Sequence, residues 1–153
     1  MRQFSVKGVL AGGITDIVAT WIVSIPLLTI ASTQVHLLDL PAPARTAALM
    51  KAMGPGSSLY LAGLLLGGAC SVLGGYVAAR IAKRARRLNG AFSAWLCVLS
   101  GLWGWRTGTY ATTAAAHVAY LVLSPALGAF GGYLQERTAL ASSAAEPGPA
   151  RAA

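Results

Sequence analysis

Four apolar runs, at about residues 8–31, 59–81, 88–105 and 113–134, leave this chain few ways to fold. Each approaches the roughly 20 residues that an α-helix needs to cross about 30 Å of hydrocarbon, the third being the shortest. In lipid every backbone N–H and C=O must be satisfied internally, which admits only helices or a closed barrel. The runs lack the period-2 alternation of barrel strands. The expected fold class is therefore all-α: a polytopic membrane protein with four transmembrane helices within residues 1–137. A disordered cytoplasmic tail is expected over residues 138–153, where no apolar face continues.

Composition points the same way. Of the 153 residues 56% are hydrophobic and 10% charged, against about 25% charged in soluble domains. The formal charge of +8 would suggest nucleic acid in a soluble chain. Here the basic residues flank the apolar runs, so membrane topology and anionic headgroups account for them and no nucleic-acid partner is expected. Arg2, Lys7, Arg80, Lys83, Arg84, Arg86, Arg87, Arg137 and Arg151 fall on one side, and Arg45, Lys51 and Arg106 on the other. That asymmetry places both termini and the Arg80–Arg87 loop on the cytoplasmic side. Tyr60, Trp103, Trp105 and Tyr110 then form an outer aromatic belt, with Tyr76 and Tyr133 at the inner interface. In the first outer loop Ala44–Met53 is expected as a short surface helix, with Leu49, Met50 and Met53 toward lipid. The first apolar run is too long, and too interrupted by an acid, for a signal peptide, so it reads as an uncleaved first helix.

That acid is Asp16, the only carboxylate inside a span. Counted from Lys7 at 1.5 Å per residue it lies roughly 13 Å deep, near the midplane, where an ionised Asp costs about 2.5–3.5 kcal/mol. It belongs to a four-residue series of small and polar side chains, Gly8, Gly12, Asp16, Thr20 and Ser24, which share one helix face. Asp16, Thr20 and Ser24 form the candidate proton or cation site, with Thr15 also in reach. Two readings stay open. Either the carboxyl takes up a proton or cation as a solute passes, or it is hydrogen-bonded to neighbouring helices and locks the bundle.

A second series, Gly63, Gly67, Ser71, Gly75 and Ala79, runs along the second helix and is matched by Ser124, Gly128 and Gly132 in the fourth. Small residues at this spacing let helix backbones approach, so Gly8, Gly12, Gly63, Gly67, Ser71, Gly75, Gly128 and Gly132 are the expected packing positions. Leu73-Gly-Gly-Tyr-Val-Ala-Ala-Arg80 also aligns without gaps to Phe130-Gly-Gly-Tyr-Leu-Gln-Glu-Arg137. A duplication of two parallel helical hairpins and simple convergence both explain this. Pro26 and Pro125 lie in the outer halves of their helices and are expected to kink them.

Other chemistry is thin. Cys70 and Cys97 read as small buried residues, and no Cys-x-x-Cys or Cys/His cluster suggests a metal. His36 and Asp39 are three apart but lack a third ligand. His117 reads as an interfacial histidine. No hydrolase, zincin or phosphate-loop motif occurs, and neither an enzyme nor a cofactor is expected. Arg80, Lys83, Arg84, Arg86 and Arg87 form a basic cluster expected to face lipid headgroups, each base contributing about 1 kcal/mol.

Gly-Ile-Thr-Asp16-Ile-Val-Ala-Thr20, together with Leu-Gly-Gly-Tyr-Val-Ala-Ala-Arg80 ahead of a basic loop, resembles a group of small, uncharacterised four-helix bacterial inner-membrane proteins. The likeness covers about residues 8–135 and implies a fold without an activity. The chain is also similar in outline to the small multidrug resistance transporters, four helices with one acid in the first. Their acid is a Glu, their chain is shorter and their second helix carries a different motif. The leading expectation is a structural or accessory membrane protein able to form a homo-oligomer or join a larger membrane complex. The alternative is a proton-coupled small-solute transporter or channel, dimeric, using Asp16.

Overall fold

The computed structural model describes residues 4–107 and 114–145, and side chains in the last helix only over 118–142. Every regular element among them is helical. Helix α1 (Val6–Gln34) starts where the Ser5 hydroxyl accepts the Gly8 N–H at 3.2 Å, and it passes Pro26 without ending. A short 3₁₀ turn (Leu37–Asp39) and α2 (Ala42–Ala52) form the first connection. Helix α3 (Ser58–Ala82) is capped by Ser57, whose hydroxyl accepts the Tyr60 N–H at 3.0 Å. It ends at Lys83, which takes a left-handed conformation with φ 58°. Helices α4 (Arg86–Ser93), α5 (Trp95–Arg106) and α6 (Ala114–Ala145) follow.

Val6–Gln34, Ser58–Ala82 and Val118–Ser142 are long and apolar enough to cross a membrane. Their large apolar side chains point outward: Trp21 is 74% exposed, Leu65 76% and Val122 68%. A soluble monomer rarely carries so continuous an apolar surface, whereas lipid tolerates it.

The third run departs from expectation. A single helix over 88–105 is replaced by α4 and α5, which meet at Ala94. The reason lies in the polar first half, Arg86-Arg-Leu-Asn-Gly-Ala-Phe-Ser93. There Asn89, Gly90 and Ser93 are buried against the bundle, and the Ser93 hydroxyl donates to the Gly90 carbonyl at 2.7 Å. The apolar half, α5, has 12 residues and a length of about 18 Å, short of a full crossing.

Two other segments also differ. Thr138 to Ala145, expected within the disordered tail, continues α6, while residues 146–153 lie outside the described residues. In α2, Leu49 and Ala52, with Met53 just beyond, turn inward onto Leu27 and Ala31 in the C-terminal part of α1 and Leu59 at the start of α3; only Met50 of the expected lipid-facing trio is exposed. A short helix gains more by closing this small core than by lying flat. Tyr110 and the side chain of His117 lie outside the described residues.

Helices approach through glycine pairs. A Cβ on Gly12 would sit 2.5 Å from the Gly74 carbonyl oxygen, and one on Gly74 would sit 2.7 Å from that of Gly12, so α1 and α3 cross backbone to backbone. The next residue of each pair faces another neighbour. Gly13 meets Leu96 and the Ser93 carbonyl, and Gly75 meets Gly128 of α6. In α6 Gly131 meets Val72 and Tyr76 of α3, while Gly132 meets the Arg86 carbonyl before α4 turns away. Consecutive helical residues point about 100° apart, so a Gly-Gly pair serves two interfaces at one level.

Candidate functional site: a carboxyl closed among three helices

Asp16 is 1% exposed. The Gly12–Gly74 crossing one turn away brings α3 so close that Gly74 lies against the Asp16 Cβ, and this sets Ser71 over the carboxyl. The Ser71 hydroxyl donates to Asp16 Oδ2 at 3.1 Å. The Cys97 thiol of α5 reaches the same oxygen, also at 3.1 Å. Thr20, one turn along α1, donates to Oδ1 at a long 3.5 Å. All three donors are neutral, and no Lys, Arg or His among the described residues pairs with the carboxyl. The arrangement can hold three helices in register through one side chain.

Of the expected site, Asp16 and Thr20 are brought together. Ser24 is not: its hydroxyl donates to the Thr20 carbonyl at 2.7 Å, within its own helix. Thr15 does the same to Ala11 at 2.8 Å. Short hydroxyl side chains in a helix readily take the carbonyl one turn back, which competes with a more distant partner. Ser71 and Cys97 come from other helices. Ser71 stood out only as a small residue in a packing series, and Cys97 only as a buried one.

Among the packing positions, Gly8 lies against the Ala78 carbonyl at 2.8 Å from an added Cβ, and Gly12, Gly75, Gly128 and Gly132 sit at backbone crossings. Among the described residues a Cβ added at Gly63 would meet only Leu27, at 4.0 Å, and one added at Gly67 would meet nothing within 4 Å. The crossings at Gly13, Gly74, Gly90 and Gly131 fall off the four-residue series.

A second polar centre, at the other end of the bundle, surrounds Asn89, which is fully buried. Its Oδ1 accepts the Ser5 N–H at 2.8 Å, and its amide donates to the carbonyls of Arg84 at 3.0 Å and Ala85 at 3.1 Å. One side chain thus ties the start of α1 to the turn before α4. The basic cluster surrounds this turn. Arg87 pairs with Glu136 at 2.8 Å and lies 4.9 Å over the Tyr133 ring, which Arg137 approaches from its own side at 5.3 Å. Arg80, Lys83 and Arg84 are exposed. His36 and Asp39 stand 3.8 Å apart with both side chains exposed. Among the described residues no three potential ligands gather into a metal site.

No family model, no curated protein and no solved structure matches the chain.

Proposed function

We propose that the protein is a structural or accessory component of a bacterial inner membrane, crossing it four times with both termini in the cytoplasm and the Arg80–Arg87 cluster toward anionic headgroups. In this reading α4 and α5 together make the third crossing, and the chain works with further copies of itself or within a larger membrane complex. The observation that carries the reading is the closure of Asp16, at 1% exposure, inside neutral donors from α3, α5 and its own helix. A carboxyl that exchanges ions with a passing solute needs access, whereas one that locks helices needs partners. Resemblance to small four-helix inner-membrane proteins supports the same membrane placement.

One observation favours the alternative of a proton-coupled transporter or channel. The break at Ala94 lies one turn from Cys97, and irregular backbone at depth often borders a pathway.

Asp16→Asn and Asp16→Leu, reconstituted in proteoliposomes, separate the two readings. Asn keeps a carbonyl oxygen for Ser71 and Cys97 and offers its amide to Thr20, so a lock survives it; Leu removes every acceptor. The structural reading expects near wild-type stability for Asn, a marked loss for Leu, and no proton flux with the wild type. Wild-type flux dependent on a pH gradient, abolished by Asn in a fully folded protein, would establish the alternative instead.

A further inference from the structure

We infer that the cavity between the start of α4 and the end of α6 binds a phosphate group, carried by an anionic phospholipid headgroup or by a soluble phosphate ester. The cavity has a volume of about 420 Å³ and is lined by Lys83, Ala85, Arg86, Arg87, Leu88 and Glu136. Three cations therefore face one acid. Glu136 is engaged by Arg87 at 2.8 Å, which leaves Lys83 and Arg86 without a carboxylate partner among the described residues. Arg86 Nε makes no hydrogen bond among the described residues, so this guanidinium is not committed to another acceptor through it.

The backbone contributes in the same direction. Ala85, Arg86, Arg87 and Leu88 are the cap and first turn of α4, where no side chain caps the N–H groups, and such a terminus carries partial positive charge. The turn that presents them is held in shape. Lys83 and Ala85 are left-handed, with φ 58° and 42°, and the Asn89 amide donates to the carbonyls of Arg84 and Ala85. A tetrahedral anion with several acceptor oxygens matches this set better than a carboxylate. Leu88 supplies an apolar wall beside it, suited to the glycerol end of a lipid. The lipid source rests on the membrane placement proposed above; the phosphate chemistry does not, and neither depends on the role of Asp16.

The test is native mass spectrometry of the full chain released from detergent, titrated with phosphatidylglycerol, phosphatidylcholine and inorganic phosphate. Wild type is expected to retain one phosphatidylglycerol in preference to phosphatidylcholine, or to bind inorganic phosphate. Lys83→Gln and Arg86→Gln should each weaken that binding about fivefold, the effect of one base near an anionic group. Glu136→Gln should tighten it. Arg84→Gln changes the net charge equally but its side chain does not line the cavity, so it should stay within about twofold of wild type. Retained phosphatidylglycerol that phosphate does not displace identifies the lipid source, and displacement identifies the soluble one. If Arg84→Gln weakens binding as much as Lys83→Gln, or if neither phosphatidylglycerol nor phosphate binds selectively, the site does not exist. Should Arg86→Gln fail to fold, the comparison of Lys83→Gln with Arg84→Gln decides alone. Failure of the membrane placement would show separately, as wild-type protein that does not enter lipid vesicles.

Discussion

Gly12→Ala is the sharpest perturbation of this bundle. The new Cβ would lie 2.5 Å from the Gly74 carbonyl oxygen, 2.6 Å from the Ala78 Cβ and 2.9 Å from the Ser93 Cβ. Two of these neighbours are short side chains on rigid helices and the third is backbone, so none swings aside. Restoring ordinary contact at 3.4 Å requires α1 and α3 to part by about 1 Å, a gap that forfeits a quarter to a half of the dispersion energy at the crossing. Overpacking of this kind costs about 1–3 kcal/mol. The same movement carries Asp16, one turn away, from 3.1 Å to about 4 Å from the Ser71 hydroxyl, beyond hydrogen-bonding range. An interhelical hydrogen bond in a membrane protein contributes about 0.6 kcal/mol on average and at most about 1.7. Together the expected loss is about 2–4 kcal/mol, against less than about 0.5 kcal/mol for Gly67→Ala, whose Cβ meets nothing. The assay is unfolding by sodium dodecyl sulfate in mixed micelles, followed by helical ellipticity. A double-mutant cycle sharpens it: with Gly12→Ala already separating the helices, Ser71→Ala should add almost nothing further. Equal stability of Gly12→Ala and Gly67→Ala would refute the close-crossing argument. A Ser71→Ala cost undiminished in the Gly12→Ala background would refute its link to Asp16.

Further outcomes follow from the other end of the bundle and use the same unfolding assay. Asn89→Leu removes the hydrogen bonds to Ser5, Arg84 and Ala85 and strands the Ser5 N–H and two carbonyls, for an expected loss of about 2–4 kcal/mol; a loss under about 0.5 kcal/mol would mean that water replaces the side chain without penalty. Ala85→Gly relieves a left-handed residue at φ 42° and is expected to raise stability by about 0.5–1 kcal/mol, offset in part by unfolded-state entropy; a lower midpoint would count against strain at that turn. Glu136→Gln breaks an ion pair whose side chains are 61% and 37% exposed, so its effect should stay below about 1 kcal/mol and shrink with added salt.

How much of this was legible beforehand depends on the range over which each feature is decided. Asp16 and Thr20 lie one turn apart in α1, and their pairing follows from helical geometry alone. Ser24 and Thr15 obey equally local rules, but a closer carbonyl captures each hydroxyl. Ser71 and Cys97 are 55 and 81 residues from Asp16 along the chain, and nothing in their own surroundings marks them as its partners. The four-residue glycine series identified Gly12 and Gly75 but also Gly67, which meets open space. A series every four residues drifts around a helix and describes a face, not which neighbour covers it.

The amino-acid sequence by itself determined that the chain is helical, that it carries apolar runs long enough to cross a membrane, and that an acid is carried among small residues on one face of the first. Those properties depend on length, polarity and 3.6-residue periodicity, all of which are local. Tertiary structure alone decided the rest. Gly12-Gly13, Gly74-Gly75 and Gly131-Gly132 each address two neighbours, because adjacent helical residues point about 100° apart and only packing says which neighbour stands where. It decided the break at Ala94, where burying Asn89, Gly90 and Ser93 against the bundle outweighs continuing one straight helix. It also decided that Asp16 is closed in by neutral donors, since whether a carboxyl at that depth meets water, lipid or a partner depends on how far apart three helices stand.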